Sequence, residues 1–388
     1  MSVLEISGVE RGISGEKQIL RATLKMPRRQ QEVFFRTDAS TINASVEPFL
    51  PVALIPAMRR NKKIRIDGSI SQTLFDGVNE VETVISGWFR EFRRVSIEAR
   101  LDREPHCDPA RPSAAFFSGG VDSFFTLKNH ASELTHLIFV HGFDIPLDDE
   151  RRRKRSAENA REVAETMNLT LVEVETNLRD FGNGIVSWLD AYFGAGLAAT
   201  ALLLSPGFSR IYIPSSVARD QLIPMGSHPE LDRHWSNGEV EIVHDSVEYS
   251  RFEKIRAISE WPPVAEHLRV CYNTVEEGLN CGRCFKCLLT MLVLESLGCL
   301  EKISTFPAEI DLDILEASAL PTRKHERDRF VNAIRMLDER QANPRLRTTL
   351  QSMLERSEKV RPESRFQRTM KRVSRSVRKR ITPLTAKR

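Results

Sequence analysis

Short apolar segments alternate with longer amphipathic segments through the middle of the chain. The apolar segments predict strands over 114–117, 137–140, 171–174, 210–213 and 240–243. Helical periodicity between the first four predicts helices over 123–134, 152–167 and 185–204. Continuous apolar strands separated by helices are typical of a parallel sheet covered on both faces. The pattern therefore predicts an α/β domain over residues 114–305, built on a doubly wound parallel sheet.

A weaker pattern precedes this domain and predicts a small α+β domain over residues 1–100. Strand character is found at 33–35, 63–66 and 94–97, and helical character at 49–58 and 74–89. This region contains no cysteine and no recognisable catalytic string, so it could serve as a lid, a substrate platform or the surface of a homo-oligomer. Residues 101–113 carry three prolines among charged side chains and are predicted to be a linker.

The basic charge of the 388-residue chain is concentrated at its end. Residues 359–388 hold twelve Lys or Arg and one acid, which is +11, and subtracting this from the net charge of +4 leaves −7 on the rest. Apolar residues recur in this segment at spacings of three or four, at Phe366, Met370, Val373, Val377 and Ile381. A basic amphipathic helix suits RNA, an anionic membrane surface or an acidic partner, and a disordered tail is the alternative. The charged, helix-favouring sequence of residues 306–358 predicts a helical extension that is broken near Pro344.

Bulk composition places the chain among ordinary globular proteins, with 41% apolar and 28% charged residues. Residues 1–20 lack the basic start and apolar run of a signal peptide. The most apolar window, 185–204, contains Asp190 and several glycines and serines, so it predicts a buried helix rather than a membrane span. Six cysteines, four of them clustered, favour metal binding in a reducing compartment. We therefore expect a cytoplasmic protein.

Candidate phosphate chemistry lies directly after the first strand of the α/β domain. The string there is Ser118-Gly119-Gly120-Val121-Asp122-Ser123, and a helix is predicted to follow it. Glycines let a backbone approach an anion closely, while the N–H groups and the dipole of a helix start favour negative charge. The two serines add hydroxyl donors, and Asp122 can hold Mg²⁺ among phosphate oxygens. The string is neither a Walker A loop nor a dinucleotide-binding Gly-x-Gly-x-x-Gly motif.

This string resembles the SGGxDS loop, or PP-loop, of the N-type ATP pyrophosphatases, whose domains have the adenine nucleotide alpha hydrolase-like (HUP) fold. The resemblance implies that the six loop residues bind the phosphates of ATP and that Asp122 and Ser123 are catalytic. It also implies that Val140 and His141 line the adenine. Members of this superfamily often carry a lysine at the start of a later helix, and Lys254 matches that place, where it would offset charge on the departing pyrophosphate.

The second motif is a set of four cysteines, Cys271, Cys281, Cys284 and Cys287, in the spacing C-x9-C-x2-C-x2-C. Four thiolates satisfy a tetrahedral Zn²⁺ ion and leave no open position, which is typical of a structural zinc site. An iron–sulfur cluster is the alternative, since C-x2-C-x2-C also begins the bacterial ferredoxin motif. That motif requires a further cysteine where this chain has Met291. Unliganded thiols are the third interpretation.

A PP-loop followed by this cysteine spacing resembles the 7-cyano-7-deazaguanine synthases of queuosine biosynthesis, over about residues 114–300. The resemblance implies adenylation of a substrate carboxylate or amide oxygen with release of pyrophosphate, followed by transfer of nitrogen. The donor would be free ammonia, a partner enzyme or the amine of the second substrate. The alternatives are a tRNA-modifying, thiolating PP-loop enzyme and a non-catalytic scaffold that binds ATP and zinc.

The small-molecule substrate is expected at the carboxyl ends of the later strands. Ser215 follows the strand at 210–213, and His228 and Asp232 lie in the polar segment after it. In open α/β sheets, ligands bind beyond the carboxyl ends of the strands. We therefore predict that these three residues contact the substrate, with an ordinary solvated loop as the alternative interpretation.

Overall fold

The structure of the chain, a computed structural model, describes residues 2–102, 107–271, 273, 278–318, 320–321 and 324–359. Its contacts divide the chain into two units, Met1–Ile310 and Asp311–Arg388. The first unit therefore contains both the predicted N-terminal domain and the predicted α/β domain. Within the described residues, no helix has both the length and the apolar character needed to cross a membrane.

The strands of the first unit form one continuous sheet. In chain order they are β1 (Val3–Ser14), β2 (Lys17–Met26), β3 (Arg29–Thr37), β4 (Lys63–Ser71), β5 (Ile97–Asp102), β6 (Ser113–Phe116), β7 (Leu134–His141), β8 (Thr170–Thr176), β9 (Arg210–Pro214) and β10 (Glu241–Asp245). Their order across the sheet is β10-β9-β6-β7-β8-β3-β2-β1-β4-β5. The α/β class predicted from sequence is thus confirmed.

The predicted parallel sheet accounts for only half of this order. Strands β6 to β10 pair with one another in parallel, as predicted. From β8 the sheet continues through β3, β2 and β1 in antiparallel pairs, then through β4 and β5 in parallel pairs. The predicted boundary at 101–113 therefore separates segments that share one sheet, and the pair between β3 and β8 joins them. Strands β1 and β2 were not predicted.

The helices of the first unit lie between these strands. They are α1 (Phe49–Arg60), α2 (Gln72–Trp88), α3 (Val121–Asn129), α4 (Glu150–Thr166), α5 (Leu178–Gly182), α6 (Phe193–Leu203), α7 (Pro229–Asp232), α8 (Arg251–Ile258), α9 (Pro262–His267) and α10 (Phe285–Leu297). The helix predicted over 123–134 ends earlier, because Leu134 already belongs to β7. The helix predicted over 185–204 is also shorter. Its regular part is α6, preceded by a π-helical turn, and Gly184 before that turn has φ +78°.

The strand order places a topological switch point beside β6. The chain runs from β6 outward through β7 to β8, then returns to the other side of β6 to form β9 and β10. Neighbouring loops leave such a sheet in opposite directions at the switch point and open a crevice at its carboxyl edge. The Gly-Gly string follows β6 directly, so it lies at this crevice.

The first hundred residues support the segment that follows β9. The buried amide of Asn237 donates to Glu47 Oε2 at 2.7 Å, and a Cβ atom at Gly77 of α2 would overlap the carbonyl oxygen of His234. The ring of Trp88 meets His228 edge to face, with 4.7 Å between centroids. This N-terminal region therefore packs against the predicted substrate segment.

The second unit consists of charged helices. They are α11 (Leu312–Ala317), α12 (Lys324–Arg340) and α13 (Pro344–Lys359). Between α12 and α13, Gln341 and Asn343 have positive φ, which stops one helix before the next begins at Pro344. Arg347 Nε then pairs with Asp338 Oδ1 at 2.8 Å. The predicted helical pair broken near Pro344 is thus confirmed, whereas the basic tail beyond Lys359 lies outside the described residues.

Candidate functional site

The loop between β6 and α3 turns through a left-handed backbone conformation at Gly119. Gly119 has φ +74°, a conformation that side chains with a Cβ rarely adopt, and a Cβ there would come within 3.2 Å of Asn159 Nδ2. Ser123 Oγ donates to Gly120 O at 3.0 Å and lies 3.4 Å from the backbone N–H of Ser118, from which it accepts. These contacts fold the loop over the start of α3, where helix N–H groups lack intrahelical partners.

Replacing Gly119 by Ala is expected to weaken nucleotide binding at least fivefold and to cost about 1–2 kcal/mol in stability, because the left-handed backbone becomes strained. Gly184→Ala is the matched control, since Gly184 also has positive φ but a Cβ there meets nothing within 4 Å. Both variants should lose similar stability in urea unfolding, and only Gly119→Ala should lose ATP affinity in calorimetry. Equal ATP affinity in the two variants would show that the loop does not bind nucleotide.

Asp122 lies in the first turn of α3 between two cations. Its carboxylate pairs with Arg251 Nη1, and Lys254 Nζ lies 3.8 Å from Oδ1. Burial lowers the pKa of Lys254, while the charge of Asp122 opposes that change. Lys254 also donates to the carbonyl oxygen of Ser215 at 2.6 Å. Both cations come from α8, whose first turn is fixed by a capping box between Ser250 and Glu253.

One oxygen of this carboxylate has no hydrogen bond among the described residues. Asp122 Oδ1 is buried without a donor within hydrogen-bond distance, although Lys254 lies within ion-pair distance. A buried carboxylate oxygen without a donor costs free energy unless a cation or another donor reaches it. The structure thus brings Asp122, Ser123 and Lys254 together at the carboxyl edge of the sheet, as the sequence predicts.

Val140 and His141 end β7, next to β6 in the sheet. Arg153 Nε donates to His141 Nδ1 at 3.3 Å, which makes Nδ1 an acceptor and assigns the ring proton to Nε2. His141 Nε2 in turn donates to Glu173 Oε2 at 2.9 Å. Both ring nitrogens of His141 are thus engaged within the protein, as in the case of a histidine that is hydrogen-bonded at a strand end.

The contact with His141 makes Glu173 a pH-dependent element of the fold. The hydrogen bond from His141 is the largest cause that lowers the pKa of Glu173, from 4.5 to about 2. A carboxylate with a depressed folded-state pKa stabilises the fold above its ordinary pKa, and this contribution is lost as the pH falls from about 4.5 towards 2. The full shift corresponds to about 3 kcal/mol, of which we expect roughly 1–2 kcal/mol to remain, because the partner Arg161 is partly exposed and solvent screens the pair.

We therefore expect Glu173→Gln to unfold at lower urea concentration than wild type at pH 7, with the difference shrinking as the pH falls below about 4. Glu165→Gln is the control, because the side chain of Glu165 in α4 is exposed to solvent and forms no ion pair among the described residues. A stability difference that stays constant between pH 7 and pH 3 would contradict this origin.

The predicted substrate residues Ser215, His228 and Asp232 are buried, so the solvated-loop interpretation does not hold. Asp232 accepts from Ser227 Oγ at 2.7 Å and lies 2.7 Å from His244 Nδ1. His228 caps α7 by accepting from the N–H of Glu230 at 3.1 Å, and burial lowers its pKa. The side chain of His228 thus has a structural role.

The four cysteines predicted from their spacing converge. Their Sγ atoms all lie within 4.8 Å of one another, and three of the pairs are 3.4, 3.8 and 3.9 Å apart. A tetrahedral ion with metal–sulfur bonds of about 2.3 Å would place its ligands about 3.8 Å apart. Contact with Cys287 lowers the pKa of Cys284 to about 4, and the same contact raises the pKa of Cys287. The cluster could therefore bind a metal ion such as zinc.

A short segment joins this cluster to the Gly-Gly loop. The backbone N–H of Arg269 donates to Gly119 O at 2.7 Å, and Cys271 follows two residues later. Asn280 fixes the segment, since its Oδ1 accepts from Val270 and Cys271 at 2.8 and 3.2 Å and its Nδ2 donates to Leu268 at 2.7 Å. A hydrogen-bonded segment thus connects the cysteine cluster to the loop that contains Gly119.

No family model, no curated protein and no solved structure matches this chain.

Sequence reasoning missed three residues of this region. The backbone of Arg269 contacts Gly119. Its position two residues before Cys271 is the feature of the sequence that could have indicated this role. Lys286 lies between two cysteines, and burial lowers its pKa to about 8, with the charge of Arg251 acting in the same direction. His244 precedes the last residue of β10, and a histidine at a strand end facing the crevice was the signal for it.

Proposed function

We propose that this chain is a PP-loop ATP pyrophosphatase with the HUP variant of the α/β fold. In this proposal it adenylates a substrate carboxylate or amide oxygen with release of pyrophosphate, and then transfers nitrogen to the activated carbon. The observation that carries the proposal is the buried Asp122 Oδ1, which has no hydrogen-bond donor among the described residues and lies at a helix start beside Gly119 and Gly120. A carboxylate held this way suits a cation that accompanies phosphate.

Magnesium fits this position, since a hard divalent cation prefers carboxylate and phosphate oxygens. Asp122 would hold the ion through Oδ1, and Ser118 and Ser123 would contribute hydroxyl groups to the phosphates. When bound, Mg²⁺ supplies charge neutralisation to the triphosphate. The pair between Asp122 and Arg251 keeps the carboxylate oriented in the absence of nucleotide, and Arg251 can turn to a phosphate oxygen when ATP binds.

In the first step, adenylation, the loop residues and the two cations of α8 have different roles. Backbone N–H groups of the loop and of the first turn of α3 hold the β- and γ-phosphates, so that the α-phosphate faces the carboxyl edge of the sheet. A substrate oxygen attacks the α-phosphate, and the bond to the β-phosphate breaks. Lys254 and Arg251 offset the negative charge that develops on the departing pyrophosphate. The product is an acyl- or imidoyl-adenylate.

The metal of the cysteine cluster is proposed to be zinc, with a structural role. The short distances between sulfurs suit one ion, whereas a multi-iron cluster would separate its cysteine ligands more widely. Four thiolates leave no coordination position for a substrate. The zinc-bound segment would hold Arg269 against the Gly-Gly loop.

The adenylating function is tested by following AMP and pyrophosphate with purified protein and Mg-ATP. A panel of carboxylates, including 7-carboxy-7-deazaguanine, is supplied with and without ammonium. We expect AMP and pyrophosphate to appear in equal amounts with one acid, and ammonium to raise the turnover. ADP and phosphate as products would exclude this bond cleavage. Binding of ATP without any turnover across the panel would favour the non-catalytic scaffold.

A further inference from the structure

Asp232 and His244 form a buried pair that the first step does not use. Asp232 is fully buried, and the side chain of His244 is 5% exposed. Three groups approach the carboxylate of Asp232: the hydroxyl of Ser227 at 2.7 Å, the Nδ1 of His244 at 2.7 Å and the backbone N–H of His228 at 3.4 Å. A carboxylate that accepts from all three assigns the proton of the imidazole to Nδ1.

The other nitrogen of this imidazole has no partner in the part of the chain that the structure describes. His244 Nε2 is buried and makes no hydrogen bond. With the ring proton on Nδ1, Nε2 presents a lone pair, which makes it a hydrogen-bond acceptor and a base. An unpaired polar atom in the interior is costly, so Nε2 needs a donor, which a water or a ligand in the adjacent cavity can supply.

His244 lines a small cavity beyond the carboxyl ends of β9 and β10. The wall is mostly apolar, with Phe193, Val217, Leu222 and Met225. Ser215, Ser216 and Ser227 supply its polar part beside His244. An apolar wall limits water near the imidazole, which leaves the lone pair available for a ligand donor.

The cavity shares a wall with the candidate phosphate site. The carbonyl oxygen of Ser215, a lining residue, accepts from Lys254 at 2.6 Å, and Lys254 lies 3.8 Å from Asp122. A ligand in the cavity would thus lie next to the adenylate formed at the loop. Strands β9 and β6 are neighbours, so both sites open at the same edge of the sheet.

We propose that His244 is the general base for the nitrogen nucleophile of the second step and that Asp232 is its positioning residue. This inference rests on the proposed adenylating function. The nitrogen of ammonia or of a primary amine forms a bond to the activated carbon and gives a proton to His244 Nε2. The bond from that carbon to the AMP oxygen breaks, and its electron pair leaves with AMP. Asp232 stabilises the imidazolium, which returns the proton to solvent after the product leaves.

A binding experiment tests the pair without knowledge of the acid substrate. The full chain is labelled with ¹⁵N-histidine, and two-bond ¹H–¹⁵N spectra report which ring nitrogen carries the proton. We expect His244 to be protonated at Nδ1 and not at Nε2. Hydroxylamine, a small uncharged nitrogen nucleophile at neutral pH, should shift the Nε2 signal in a saturable way. His141 is the internal control, because both of its ring nitrogens are paired. A proton on Nε2, or no response to hydroxylamine, overturns the proposal.

The two half-reactions provide the kinetic test, with the acid identified by the panel. His244→Gln should lower amide formation by about 100-fold or more and keep ATP–pyrophosphate exchange within about threefold of wild type. Imidazole should partly rescue His244→Gly. Asp232→Asn should shift the ring proton to Nε2 in the NMR spectrum, a change that a merely structural role would not produce. His234→Gln is the control from the same segment, because His234 does not line the cavity.

The outcomes separate this inference from the proposed function. If wild type shows no exchange with any acid, the adenylating function fails, and the hydroxylamine titration alone decides whether His244 binds a nitrogen nucleophile. If exchange is present and His244→Gln forms amide within threefold of wild type, the general-base role is wrong while the adenylating function stands.

Discussion

Replacing Asp122 by Asn is expected to abolish ATP–pyrophosphate exchange, with a loss of more than about 100-fold. The amide keeps the size of the side chain but removes the charge that pairs with Arg251 and that faces Lys254. It also replaces the donor-free oxygen by a neutral group, which is a weaker ligand for Mg²⁺. Exchange should be measured with radiolabelled pyrophosphate under conditions in which wild type turns over.

The control for this variant is Asp67→Asn, the same chemical change at an exposed position of β4. Both variants should keep the far-ultraviolet circular dichroism of wild type. The melting temperature of Asp122→Asn should fall by several degrees, since Arg251 and Lys254 are largely buried and lose the carboxylate that faces them. Exchange within threefold of wild type in Asp122→Asn would remove Asp122 from the catalytic machinery. It would also remove the observation on which the adenylating proposal rests.

Local patterns along the chain predicted the elements that carry this site. The strand at 114–117, the glycines after it and the helix that follows are adjacent in sequence, so their geometry depends on neighbouring residues. The cysteine spacing likewise predicted a cluster, because three of its members lie within seven residues. The structure brings both groups into the expected local arrangement.

The sequence does contain a pattern that indicates the strands that were not predicted. In β2, the buried residues Leu20, Ala22 and Leu24 alternate with Arg21 and Thr23. That period of two is typical of a strand with one buried face. Arg21, Thr23 and Lys25 on the other face lowered the apparent strand character, although side chains on that face are not part of the core. The extended sheet follows from this alternation.

Contacts between distant residues could not be predicted from local patterns. The contact of Arg269 with Gly119 spans 150 residues, and that of Lys254 with Ser215 spans 39. Whether such residues meet depends on strand order, which the sequence pattern left open at the switch point. The pair of Asp232 and His244 has the same origin, since it requires that the segment after β9 fold back on β10.

The N-terminal region contacts the segment between β9 and β10, which indicates a supporting role for it. Its residues Glu47, Gly77 and Trp88 all meet the segment that contains Asp232. A buried carboxylate keeps its geometry only if the surrounding backbone is held in place. We therefore expect substitutions in this interface to act on the second step, through the position of His244, more than on ATP binding.

The cysteine cluster is expected to control both stability and nucleotide binding. Cys284→Ser should lose one equivalent of zinc, lower the melting temperature by on the order of 5 °C and weaken ATP binding about tenfold. The cause is the loss of the clamp on the segment from Arg269 to Cys271, whose backbone holds Gly119. Metal content by mass spectrometry, thermal melting and calorimetric titration of ATP measure the three effects on one preparation.

Cys107→Ser is the matched control, because Cys107 makes its contact with Ser209 O and lies outside the cluster. It should keep the metal, the melting temperature and the ATP affinity of wild type. A chelator should reproduce the effects of Cys284→Ser in wild type, and added Zn²⁺ should reverse them there but not in the variant. Loss of metal with unchanged ATP affinity would show that the cluster stabilises the fold without positioning the loop. A structural zinc site needs all four ligands. Full metal content in Cys284→Ser would therefore contradict a zinc site built from these four thiolates.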